Sequence, residues 1–158
     1  VAMSDERSFS GGCQCGAVRF RASHLGRPSI CHCRMCQKAF GNFFGALVTA
    51  DIAHLTWTRG KPKMFRSSAK VLRGFCENCG TPLTYQFSGG VELAIGAFDE
   101  PQHFEPQIQV NHDSRLPWID TLFEKPGRPQ TLEESEIISR QHPDHDTDQW
   151  PPEDGAEA

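Results

Sequence analysis

Seven cysteines in three short clusters constrain this chain more than any other feature. They stand as Cys13 and Cys15 in "GGCQCG", Cys31, Cys33 and Cys36 in "CHCRMC", and Cys76 and Cys79 in "FCENCG". An odd count rules out a full set of internal disulfides. Clusters at this spacing point instead to thiolate ligands in a reducing compartment. Cys76-x-x-Cys79 is half of a tetrahedral site: two thiolates three residues apart grip one ion from a tight turn, and Gly80 stands where that turn wants a positive φ. Cys13-x-Cys15 is expected to supply the other half. Sulfurs on one zinc lie about 3.8 Å apart, whereas positions i and i+2 of a regular strand are about 7 Å apart. The chain must therefore bend inward at this point, among Gly11, Gly12 and Gly16. The four thiolates then form a closed, structural zinc site that joins segments more than 60 residues apart.

That pairing leaves Cys31, Cys33 and Cys36 with three thiolates and no further cysteine. Three protein ligands plus an exchangeable position is the pattern of a catalytic zinc. His32 lies between two of the cysteines and is expected to point away from their shared face. His24, His54, His103 and His112 stand alone in the sequence, and one of them folding in as a fourth ligand stays open. Three thiolates on Zn²⁺ make a centre of net charge −1, a poor generator of hydroxide but a good host for an incoming thiol, whose pKa falls on binding. The rival reading, a disulfide oxidoreductase at Cys33-x-x-Cys36, lacks a βαβ setting in the sequence and leaves Cys31 surplus.

The 158 residues suit one domain with a tail, and hydrophobic residues make up 37%, below the usual globular share. Residues 8–123 read as an all-β domain. In "GAVRFRAS", Val18 and Phe20 alternate with Arg19 and Arg21. "NFFGALVTA", "HLTWTRG", "KMFRSS", "VLRGFC", "PLTYQFSGG", "VELAIGAF" and "PQIQVNH" are further strand candidates, broken by Gly60, Pro62, Ser68 and the Gly89-Gly90 turn. Strands so short, so spaced, predict small antiparallel sheets. Residues 124–158 form an acidic extension with ten acidic and three basic residues, net −7, against +3 for residues 1–123. Two zinc ions on seven thiolates would add −3 and cancel that excess, and no basic stripe with interleaved aromatics marks a nucleic-acid surface. Thr131 and Glu134 suggest a capping box and a short helix over residues 131–141. The polar segment 142–158 is expected to be disordered. No apolar run is long enough to span a membrane. No basic and then apolar segment opens the chain, so a cytoplasmic protein is expected.

Taken together, "GGCQCGAVRF", "CHCRMCQKAFG", "FCENCGTPLTY" and "SRLPW" resemble the glutathione-dependent formaldehyde-activating enzyme family, which also contains centromere protein V. The resemblance covers about residues 8–120 and all seven cysteines in order. It implies a β-tent fold, a structural zinc on Cys13, Cys15, Cys76 and Cys79, and a second, labile zinc on Cys31, Cys33 and Cys36. It also implies a carbon–sulfur lyase in which the sulfur of glutathione, as co-substrate, adds to formaldehyde to give S-hydroxymethylglutathione. Arg34, Lys38 and Arg115 are the candidates for the carboxylates of the thiol, and Phe43 and Trp118 for the pocket walls. Small thiol and carbonyl molecules are then the partners. The alternative is a non-catalytic scaffold or interaction module with two structural zinc sites.

Overall fold

The computed structural model describes residues 6–133 and 139–151. Its mainly β character agrees with the sequence reading, and ten strands are found among the described residues. A three-stranded antiparallel sheet is built from β1 (Phe9–Gly12), β2 (Arg19–Ala22) and β5 (Leu55–Arg59), in the order β1-β2-β5. The remaining seven strands are β3 (Pro28–Cys31), β4 (Gly45–Ala50), β6 (Lys63–Ser68), β7 (Val71–Phe75), β8 (Pro82–Phe87), β9 (Gly90–Ala94) and β10 (Ile108–Val110). They form a second sheet in the order β10-β3-β4-β9-β8-β7-β6. All pairs in it are antiparallel except β10 with β3, which is parallel. A parallel pair needs a long crossover, and the chain between these two strands supplies most of the sheet itself. No helix among the described residues is long and apolar enough to cross a membrane.

The core lies between the small sheet and the middle of the large one. Phe20 of β2, Val48 of β4, Leu83 of β8 and Val91 and Leu93 of β9 are fully buried. Phe20 meets Phe98 and Trp57 edge-on, with ring centroids 5.1 and 5.9 Å apart. Truncating an aromatic packed in this way typically costs about 3–5 kcal/mol.

One expectation falls partly outside the described residues, and another needs correction. The first concerns helix. The predicted helix has its centre, residues 134–138, outside the described residues, and 131–133 and 139–141 on either side are not helical. A helix does form early, as α1 (Arg34–Phe40), capped by the Cys33 side chain and closed at Gly41. The second concerns the tail. Residues 142–151, expected to be disordered, lie against the body. The backbone N–H of His142 donates to the Gln14 carbonyl at 2.7 Å, and the Trp150 indole N–H to the Cys15 carbonyl at 2.6 Å. Asp146 accepts from Arg19 and Arg21, each at 2.8 Å, and Arg59 donates to the Thr147 hydroxyl at 3.1 Å. Mean composition suggested a solvated segment, but a few side chains that match fixed cations of the body are enough to anchor it. Arg19 accordingly does not face solvent opposite Phe20. It is buried, held by both oxygens of Asp99 and by Asp146.

His142 makes this docking sensitive to pH. Burial lowers its pKa from the ordinary 6.5, aided by the Arg19 and Arg59 cations and opposed by its hydrogen bond to the Pro143 carbonyl. The neutral ring is the docked form. Docking is therefore at full strength above pH 6.5 and weakens as the pH falls through the lower, docked-state pKa. Hydrogen exchange of residues 142–150, corrected for intrinsic rate, is expected to be faster at about pH 5.5 than at about pH 7.5. Equal protection at the two would show that His142 does not govern the docking.

Candidate metal centre

The four outer cysteines converge although 61 residues separate Cys15 from Cys76. After β1 the chain leaves the sheet in a turn, with Gly16 at φ 81°, and this brings Cys13 and Cys15 onto one side. The second pair sits in the turn between β7 and β8. Gly80, at φ 79°, lets its N–H return to the Cys76 carbonyl at 2.8 Å; a side chain there would strain the left-handed backbone. The sulfurs of Cys13 and Cys15 are 3.6 Å apart and those of Cys15 and Cys76 3.9 Å apart, bracketing the separation that tetrahedral Zn–S bonds impose. N–H groups of Val18 and Asn78 donate to Cys13 and Cys15. Burial pushes the Cys13 and Cys76 thiols up. Cys79 is also penalised by burial, yet the Thr81 hydroxyl and backbone N–H hold it down to about 6. Four sulfurs packed this closely cannot all ionise beside one another, and a divalent cation at their centre removes that restraint. The donor set fits zinc.

The middle cysteines form a second group at a strand–helix junction, a setting the sequence did not reveal. Cys31 is the last residue of β3, Cys33 is the N-cap of α1, and Cys36 lies in its first turn. The flanking strands β3 and β4 are antiparallel, so this is still not a βαβ unit. The three sulfurs lie within 4.8 Å of one another, and among the described residues no histidine, aspartate or glutamate joins them. His32 is buried and turned to Gln109, with Nε2 2.8 Å from Oε1, and its Nδ1 has no hydrogen-bond partner.

Each sulfur of this trio accepts one N–H. The Asn111 side-chain amide donates to Cys31 at 3.2 Å, the Cys36 backbone to Cys33 at 3.4 Å, and the Arg73 guanidinium to Cys36 at 3.4 Å. The parallel β10–β3 register, with Val110 opposite Cys31, delivers Asn111, whose φ of 52° turns the chain directly after the strand. Arg73 comes from β7, four strands along the sheet, because α1 crosses above. Cys31 is held down to about 5, first by its hydrogen bond from Cys36, while Cys36 is pushed up by that same contact and by burial. Arg73 is only 7% exposed. Among the described residues it has no carboxylate partner: its contacts are Cys36, the Ser67 hydroxyl at 3.0 Å and the Tyr85 ring at 4.9 Å. A buried cation without a counter-charge is costly; with the Tyr85 phenol pushed up by burial, the trio is, among the described residues, the contact of Arg73 that can carry negative charge at neutral pH. Sequence reasoning missed both Arg73 and Asn111. Neither sits in a motif, and only the sheet register brings them to the sulfurs.

A cavity of about 510 Å³ opens between α1 and strands β6–β8; the three cysteines do not line it, and it meets them through Arg34 and Met35, which stand between Cys33 and Cys36 in the chain, and through Arg73, which donates to Cys36. Arg34 and Lys38 of α1 line it, as does Arg73. Phe43, Arg115 and Trp118 are not brought to it. Phe43 and Trp118 pack against each other edge-on at 4.8 Å, and Arg115 turns to His112 at 3.1 Å and Asp120 at 3.6 Å.

No curated protein matches the chain. The family model for the glutathione-dependent formaldehyde-activating enzyme matches residues 8–114, a span that holds all seven cysteines, Arg73 and Asn111 and stops short of Arg115 and Trp118. With more than half of its length matched and its cysteines gathered into two groups that can each hold a metal ion, the chain belongs to the glutathione-dependent formaldehyde-activating enzyme family.

Proposed function

We propose that the protein is a carbon–sulfur lyase that joins a small thiol, glutathione or a close relative, to formaldehyde or another small aldehyde. The observation that carries this reading is the three-cysteine group with no fourth protein ligand among the described residues, beside a cavity lined by cations. Zinc held by Cys31, Cys33 and Cys36 would supply an exchangeable, sulfur-loving position at which a substrate thiol loses its proton. The chain's own groups do the rest. Asn111, the Cys36 N–H and Arg73 each donate to one of the three sulfurs and fix its direction. Arg34 and Lys38 stand on the cavity wall as anchors for the carboxylates of the thiol. Glutathione carries two such groups, and anchoring them positions the sulfur before it meets the aldehyde carbon. Cys13, Cys15, Cys76 and Cys79 take no part in the chemistry and hold the fold.

Cys33→Ser tests the reading. Serine is itself a good N-cap, so α1 and the melting temperature should survive. Exchange between glutathione and its hydroxymethyl adduct, followed by NMR, is expected to fall to the rate seen without protein. Wild-type exchange in the variant would refute the assignment. The scaffold alternative is tested by titrating glutathione into the cobalt-loaded protein: a change in the cobalt–thiolate absorption supports an open site, and an unmoved spectrum supports two closed ones.

A further inference from the structure

We propose that the preferred carbonyl substrate is an aldehyde with an apolar body, an aromatic or branched aliphatic group, seated in the cavity between α1 and strands β6–β8. This rests on the thiol–aldehyde reading above and deepens it. Formaldehyde has two heavy atoms and needs little more room than the roughly 30 Å³ of one water. The cavity offers about 510 Å³, within the roughly 300–1,000 Å³ of pockets built for much larger ligands. Its walls are the side chains of Met35, Phe40, Phe65, Phe75 and Pro82. The charged residues Arg34 and Lys38 and the apolar ones are different parts of the lining, so a thiol anchored by its carboxylates at the first would leave contacts with the second open to its carbonyl partner. Met35 and Phe65 are 54% and 61% exposed, so two large apolar side chains stand at the cavity with their surfaces turned to solvent.

Arg73 ties the cavity to the cysteine trio. Its Nη2 donates to the Cys36 sulfur and its Nε to Ser67. Its Nη1 makes no hydrogen bond among the described residues and is not sealed off from solvent, on a residue that lines the cavity. An aldehyde with its body against the phenylalanines would bring its oxygen to this free N–H. In the addition, the thiol sulfur forms a bond to the carbonyl carbon and the C=O π pair moves to the oxygen. Arg73 donates to the developing alkoxide, and the proton given up by the thiol ends on that oxygen. Atoms and charge balance with no oxidant or reductant.

The test compares phenylacetaldehyde with formaldehyde in glutathione exchange followed by NMR, using the zinc-loaded full-length protein. Each buried methylene favours binding about fourfold, so kcat/KM for phenylacetaldehyde is expected to exceed that for formaldehyde by on the order of 30-fold. Phe65→Asp should reduce that ratio by at least about tenfold. Phe65 is exposed, so its replacement should not unfold the chain, and the melting temperature checks this. A second readout needs no turnover: saturation-transfer NMR should show 2-phenylethanol, the unreactive alcohol, bound to the wild type and not to Phe65→Asp. A preference for formaldehyde, or a ratio and an alcohol signal untouched by Phe65→Asp, would overturn this inference and leave the lyase reading standing. Exchange with neither aldehyde would overturn both.

Discussion

Cys76→Ser is expected to lose one equivalent of zinc and to melt at least about 10 °C below the wild type. Cys76 is 1% exposed and belongs to the four-sulfur group. That group ties the turn after β1 to the β7–β8 turn across 61 residues. Closing a loop of this length removes about 4 kcal/mol of denatured-state freedom in the chain-entropy model, and structural zinc sites contribute about 10–16 kcal/mol of binding free energy that counts toward folding. Losing a fraction of that is enough: each kcal/mol moves the melting temperature of a chain this size by about 2–4 °C. A serine hydroxyl stays protonated at neutral pH and does not replace the thiolate. Metal analysis by mass spectrometry and a thermal melt check the result. An unshifted melt with full zinc content would mean that the two cysteine pairs do not share an ion.

Arg73→Met is expected to spare the fold and remove the chemistry. The substitution keeps an apolar stem of similar length but takes away the cation beside the buried trio and the unpaired N–H of a residue that lines the cavity. Removing one donor to a developing oxyanion costs on the order of 10²–10³ in kcat, and removing an outer partner of a metal ligand weakens metal binding by about 10–100-fold. The variant should therefore exchange glutathione adducts at least about 100-fold more slowly. It should lose the more weakly held zinc to a chromophoric chelator sooner, while the zinc of the four-cysteine group stays. Arg73→Lys restores the charge without the planar fork and should recover metal retention more fully than turnover. Wild-type turnover in Arg73→Met would remove Arg73 from the mechanism.

The sequence revealed those parts of this molecule that are local. The cysteine spacings carried both metal groups, and the positive φ of Gly80 followed from the turn that two ligands three apart require. Most strands were visible as runs of β-formers between breakers. Three elements escaped. Helix α1 has seven residues, too few for a 3.6-residue period to show, and its N-cap is a cysteine in place of the usual serine or aspartate. β1 reads "FSGG" and β3 begins with a proline, both poor strand signals. What stayed wholly illegible was non-local. Asn111 reaches Cys31 through the one parallel pairing of the sheet, Arg73 reaches Cys36 from four strands away, and Arg19 is buried because carboxylates arrive from 80 and 127 residues later. A single sequence carries no local trace of such meetings.

The docked tail sets an order of events. Its bonds to the body span 83 to 135 residues, so their loop-closure entropy is met only once the sheets exist. A terminal segment held to the surface largely by polar contacts is also the kind that opens first under native conditions. Assembly and local opening then run as opposites: the tail is the last piece to settle and the first to leave. Because it rests on Gln14 and Cys15, each departure uncovers the backbone of the four-cysteine group while the sheets stay intact. The lifetime of an ion held in that group would thereby be coupled to residues that lie outside the family's matched span.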